Sequence, residues 1–209
     1  MTIQRQLAGR VVQRGTVRAP RLLAGVDMAI SPDKSECVGG VVVWDVKEQE
    51  IVEQHVVRQP LRFPYVPGLL SFREGPVVMA ALRKVRCSPD AFLFDGQGLA
   101  HPRRFGLACH MGVLIDRPSL GCAKSLLIGE HETLDEHAGS TARLIHKGDC
   151  IGMAVRTREK VKPMYISVGH RLSLSEAVRI TLLACSGFRM PEPTRLADKL
   201  VSKSRAEGI

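Results

Sequence analysis

The order of extended and helical segments limits what this chain can become. Residues 21–30 (RLLAGVDMAI), 37–46 (CVGGVVVWDV) and 51–61 are β-rich and separated only by the polar turns SPDKSE and KEQE, which predicts a three-stranded antiparallel meander. After a proline-bounded loop, PYVPG at 64–68, the pattern changes. Val77, Val78, Ala81, Leu82 and Val85 form a helical stripe, and Pro76 suits a first turn, so a helix is expected from Pro76 to Arg86. Residues 91–95, 119–123, 150–157 and 164–168 predict short strands. Pro102 opens a second helix, Arg103 to Ile115, apolar nearly all round; Ser173-x-x-Glu176 caps a third, which Gly187 ends. The stretch between the strands at 119–123 and 150–157 is a polar excursion rich in His and Glu. Three strands followed by alternation predict an α/β fold: a mixed central sheet, antiparallel meander plus parallel strands, flanked by helices. No repeat or Pro/Gly/Ser linker divides the chain, so residues 1–209 read as one domain, large enough to bury roughly 70% of its unfolded surface.

The longest stretch free of Asp, Glu, Lys and Arg, Phe105 to Ile115, is far short of the ~18 residues of a membrane span. A net charge of +9 favours a polyanionic partner such as nucleic acid, although charge alone fits a soluble basic enzyme equally well. Six cysteines without any C-x-x-C spacing and no apolar leader suggest reduced thiols in a cytoplasmic protein. The first 26 residues hold five arginines and no acid, with Ile3, Leu7 and Val11 at helical spacing; a transit peptide has this composition, but a docked N-terminal helix with a basic outer face is the preferred reading.

A carboxylate within an apolar strand is costly unless something positive meets it. Asp27 shares a strand face with Leu23, Gly25 and Ala29, whose small members leave room for a ligand, and Asp95 closes the run AFLF ahead of Gly96 and Gly98. Glu74 precedes the expected helix. Ser71-x-x-Glu74 also matches a capping box, but that would bring Pro76 inside the helix, and starting at Pro76 leaves Glu74 free to point at the sheet. An acid on the first strand, one beside the first helix and one on the fourth strand is the chain order of ribonuclease-H-like nucleases, in which such acids hold two divalent cations. Oxygen ligands favour Mg2+ or Mn2+ over Zn2+.

Other motifs carry less. Asp45 borders a polar turn and is expected at an exposed edge, and Asp116, followed by Arg and Pro, in a surface pair. DGQGLAH lacks the third glycine of a dinucleotide fingerprint, GCAKS lacks phosphate-loop spacing, and HETLDEH has Asp135 where a metalloprotease needs its second histidine. Lys124 ends a strand, and His101 and His170 each follow a strand and a glycine-bearing turn, where catalytic loops sit; each is equally at home as an ordinary surface or structural residue.

Five longer blocks, FPYVPGLLSFREGP (63–76), FDGQGLAHPRRFGLACHMG (94–112), GCAKSLL (121–127), ISVGHRLS (166–173) and PEPTRLAD (191–198), together with GVDMA (25–29), resemble the endonuclease V family over nearly the whole chain. The resemblance implies a ribonuclease-H-like fold and a Mg2+-dependent repair endonuclease that recognises deoxyinosine in DNA. Such an enzyme nicks the second phosphodiester bond on the 3' side, leaving 3'-hydroxyl and 5'-phosphate ends. It implies Asp27, Glu74 and Asp95 as catalytic acids and metal ligands, Lys124 on the scissile phosphate, His170 near the attacking water and His101 in the same catalytic loop. Pro64, Tyr65, Val66 and Pro67 correspond to a strand-separating wedge, a stiff loop whose ring can fill the gap left by an extruded base. Gly68 to Leu70 and Gly96 would line a hypoxanthine pocket that rejects adenine by leaving a polar group unpaired. At Leu126, where the family often carries a basic or polar side chain, this chain offers no phosphate donor. A monomer acting on single- or double-stranded DNA is expected, with inosine-containing RNA as the alternative substrate, since a 2'-hydroxyl contact is not legible in sequence. A catalytically silent nucleic-acid-binding protein of the same fold is the remaining alternative.

Overall fold

The structure, a computed structural model, describes residues 2–66 and 68–207. Pro67 of the expected wedge lies outside the described residues. The expected meander forms: β1 (Leu22–Ile30), β2 (Glu36–Asp45) and β3 (Glu50–Pro60) pair antiparallel in sequence order. Next come α2 (Leu70–Leu82), β4 (Ala91–Phe94), α3 (Leu107–Ile115) and β5 (Ser119–Ala123), with β4 parallel to β1 and β5 parallel to β4. Then follow β6 (Thr141–His146), β7 (Asp149–Val155), β8 (Met164–His170), α4 (Leu174–Leu183) and α5 (Glu192–Glu207); α1 (Thr2–Ala8) precedes them all. One eight-stranded sheet results, ordered β3-β2-β1-β4-β5-β8-β7-β6. No helix among the described residues is long and apolar enough to cross a membrane.

Alternation along the strands sorts the core into two layers. Ala24, Val26, Phe92 and Phe94 point to the face packed by Val78 and Ala81 of α2 and Met111 of α3. Leu23, Ala91 and Leu93 point to the other, where Ile180 of α4 joins them. Asp27 and Asp95, at even spacing from Leu23 and Leu93, therefore share the second face.

Several expectations need correction. The helix expected from Pro76, α2, starts at Leu70 and runs through Pro76. Ser71 does not cap it: its Oγ lies 3.0 Å from His110 Nδ1 of α3, and Gly75 abuts Met111. Burial of that face against α3 outweighs the one hydrogen bond that proline removes. The second helix begins at Leu107, not Arg103, because Arg104 is left-handed (φ 53°) and Gly106 extended. Asp45 is buried, since β2 lies between β1 and β3; it accepts from Arg21 Nε at 2.7 Å and from the Lys47 and Glu48 amides. On α1, Ile3 is 60% exposed while Gln4 is buried, so the docked face includes Leu7 but not Ile3. Within the polar excursion, β6 and α5 further on were not expected, whereas Ser173 does cap α4 by accepting from the Glu176 amide.

The room beside Asp27 is filled by protein. A Cβ added at Gly25 would stand 1.9 Å from the Pro193 carbonyl carbon, and Ala29 packs with Val201, both on α5. Gly25 thus lets α5 lie directly on β1. Gly25→Ala is expected to cost at least about 1–3 kcal/mol of stability, measured by urea unfolding; an unchanged midpoint would refute this close approach.

Candidate active site

Parallel pairing of β1 with β4 places Val26 opposite Phe94, and the Asp95 amide donates to Val26 O at 3.1 Å. Asp27 and Asp95 therefore emerge side by side on the α5 face. From α5, Asp198 completes a cluster in which one carboxylate oxygen from each of the three lies within 4.8 Å of the others. Lys124, just beyond β5, enters the same space: Nζ is 2.6 Å from Asp95 Oδ2 and 3.4 Å from Asp198 Oδ1. Its backbone is held by Arg189, which donates to the carbonyls of Lys124, Pro163 and Lys162.

Burial, with the crowding of like charge adding to it, controls the titration. Burial, then the neighbouring Asp95 charge, pushes Asp27 up to about 8, against the pull of the Met28 amide. Burial also raises Asp95, with Lys124 opposing it. Lys124 is itself raised: burial disfavours its charge, but the Asp95 contact outweighs that. Three carboxylates against one ammonium leave a negative, all-oxygen site of the kind that suits a hard divalent cation. The residues present fit a metal ion.

Beside the cluster opens a cavity of about 640 Å3 that shares Asp95 and Lys124 with it. Gly68, Leu70 and Gly96, the expected pocket residues, all line it, as do Glu74 and His101. Glu74 comes from α2, across the sheet from α5, and is not among the three clustered carboxylates. Burial raises it to about 7, Arg73 opposing and Asp95 adding to the shift. Burial and then Arg103 lower His101 to about 4, so it is neutral; Nδ1 accepts from the Arg103 amide, which leaves the proton on Nε2 as a donor. Pro64, Tyr65 and Val66 are exposed at the mouth, Tyr65 at 66%, with the Arg73 guanidinium 5.7 Å from its ring centre. Leu127 lines the cavity, and Leu126 is solvent-exposed.

The structure does not bring His170 to this site. β8 runs antiparallel to β5, so His170 pairs with Ser119 at the strand end opposite Ala123. Roughly 13 Å of strand separates the two ends. There His170 is buried, its Nε2 3.0 Å from Asp116 Oδ1 and its Nδ1 accepting from the Val12 amide. Asp116 also pairs with Arg171, as a surface acid should. What the sequence reading missed is Asp198, although it ends the PEPTRLAD block.

Because the folded Asp27 and Glu74 values lie above the ordinary 3.8 and 4.5, the metal-free protein is most stable below pH 4 with respect to these groups and loses that stability as pH rises toward 8. Asp27→Asn should then raise metal-free stability at pH 8 by at least about 1 kcal/mol, some 2–4 °C in Tm. A divalent ion should raise the wild-type Tm more at pH 8 than at pH 6, and Asp27→Asn should lose that gain; equal gains at both pH values would contradict the assignment. Lys124→Met removes a competing ammonium, so titration calorimetry should show tighter divalent-ion binding by the free protein, and weaker binding would count against the contact.

Comparison with known proteins identifies the family. The endonuclease V family profile matches residues 5–199. Endonuclease V of a Nostoc species is 46% identical over 203 residues, covering 97% of this chain and 92% of that protein. The crystal structure of Streptomyces avermitilis endonuclease V superimposes with a TM-score of 0.94 at 40% identity, covering 99% of this chain and 92% of that one. Ciona intestinalis endonuclease V, solved with a 24mer DNA containing an inosine followed by a ribo-adenosine, gives 0.87 at 27% identity, covering 100% and 97%. The fold is thus ribonuclease-H-like, and the chain belongs to the endonuclease V family of nucleases.

Proposed function

We propose that this chain is a monomeric, cytoplasmic repair enzyme that recognises deoxyinosine in DNA and hydrolyses the second phosphodiester bond on its 3' side with Mg2+, or Mn2+, as the working ion. The observation that carries the reading is the sharing of Asp95 and Lys124 between the carboxylate cluster and the cavity, so that a nucleotide held in the cavity lies against the cluster. The Ciona complex, in which a relative holds inosine-containing DNA, supports the same substrate class.

The residues divide the work. Tyr65, exposed on its proline-bounded loop, fills the gap that an extruded base leaves in the stack, while Gly68, Leu70 and Gly96 bring backbone up to the base. Neutral His101 donates from Nε2 within the same cavity. Asp27, Asp95 and Asp198 would hold the divalent ions, two in the full catalytic state. Ions held there would supply the charge that makes water nucleophilic at neutral pH and offsets charge on the departing oxygen. Lys124, freed from Asp95, holds a non-bridging oxygen of the scissile phosphate. Glu74, which lines the cavity together with Asp95, would accept a proton from the attacking water.

The ribonucleotide that follows inosine in the Ciona complex favours a second reading, an inosine-specific ribonuclease. Matched DNA and RNA strands carrying one inosine each, incubated with Mg2+ and mapped for cut position, separate the two. Cutting of DNA at the second 3' phosphodiester is expected, with Asp27→Ala and Asp198→Ala each slower by about 100-fold or more. Faster cutting of RNA would replace the DNA assignment, and full activity of either variant would remove the cluster from the mechanism.

A further inference from the structure

The cavity walls come from segments far apart in the chain: Gly68 and Leu70 on one side, Arg103, Phe105 and Gly106 on the other. A third segment joins them from behind. Gln4 of α1 is only 1% exposed. Its Nε2 donates to Phe105 O at 3.0 Å and to Gly68 O at 3.3 Å, and its Oε1 accepts from Arg103 Nε. Arg103 Nη2 donates to the same Gly68 carbonyl. Gly68 is left-handed (φ 77°), and a Cβ there would meet the Arg103 guanidinium at 2.2 Å, so the turn sits on that side chain with no spacer. Two residues upstream, Val66 O accepts from the Leu69 amide and closes the turn that directly follows Tyr65.

An apolar residue at position 4 would dock α1 on the core as Leu7 does, without the cost of burying an amide. The amide instead satisfies both pocket walls at once. We propose that Gln4 is a positioning residue for the base pocket: with Arg103 it clamps the Gly68 turn to the Phe105 wall, fixing the width of the pocket and the seat of the Tyr65 loop. This rests on the cavity being the base pocket. The clamp touches none of Asp27, Asp95 or Asp198, so it acts on substrate recognition and not on the hydrolytic step.

Gln4→Met keeps the length and packing of the side chain and removes its hydrogen bonds. For an inosine duplex its KM should rise about 10-fold or more, and its saturating single-turnover rate should stay within about threefold of wild type. Its preference for inosine over an undamaged duplex should narrow. Leu7→Ala loosens the same helix without breaking the clamp, and should lower Tm while leaving KM and preference unchanged. Wild-type KM and preference in Gln4→Met would overturn the proposal, as would an equal KM rise in Leu7→Ala. If Gln4→Met does not fold, Gln4→Asn, which withdraws the amide by one methylene, must show the KM rise, and an unchanged KM overturns the clamp. A wild-type protein that leaves inosine duplexes uncut would instead count against the base-pocket reading itself.

Discussion

Three carboxylates forced into one small, partly buried volume are the constraint around which the rest of this structure is arranged. Burial first, and then the neighbouring negative charge, disfavours their ionisation and raises Asp27 and Asp95. The fold supplies what holds them there. Parallel pairing of β1 and β4 fixes two of them, and a glycine at position 25 lets α5 lie close enough to deliver the third. Lys124 provides a positive charge in direct contact, on a segment that Arg189 ties to the loop before β8. Ammonium against three acids leaves the balance negative, and a divalent cation would complete it.

The meander was legible because β1 and β2 are largely apolar, β3 is rich in β-branched residues, and only short polar turns separate them, a local signal that tertiary structure had no reason to override. Asp27 and Asp95 were legible for the same reason, as charges inside apolar strands. The start of α2 was not, because the packing of Ser71 and Gly75 on α3 decides it, and sequence shows only the proline. His170 illustrates a deeper limit. A residue that follows a strand lies at its C-terminal end, but whether that end faces the site depends on strand direction. β4 and β5 run parallel to β1 and open toward the cluster; β8 runs the other way. Asp198 was missed because it sits on a charged helix, where one more acid carries no local anomaly, and Asp45 was misjudged because the end of a strand was taken for the edge of a sheet.

Placement of the cavity on the cluster's flank gives the architecture its functional sense. Backbone at Gly68 and Gly96, an exposed Tyr65 and a neutral His101 are suited to holding a planar base, and none of them belongs to the carboxylate cluster. In the proposed function, recognition and hydrolysis would use separate elements that meet at Asp95 and Lys124. The excess of basic residues fits a polyanionic substrate. Arg5, Arg10, Arg14 and Arg18 are all exposed along the N-terminal segment, available to phosphates without disturbing the core.

The proposal that Asp27, Asp95 and Asp198 together hold a divalent cation is tested most directly by anomalous diffraction from crystals of the chain grown with Mn2+. The account predicts a manganese peak with an oxygen of each of the three aspartates within about 2–2.4 Å, and Lys124 Nζ moved off Asp95. A peak held by only one of them, or none in this region at saturating Mn2+, would contradict it.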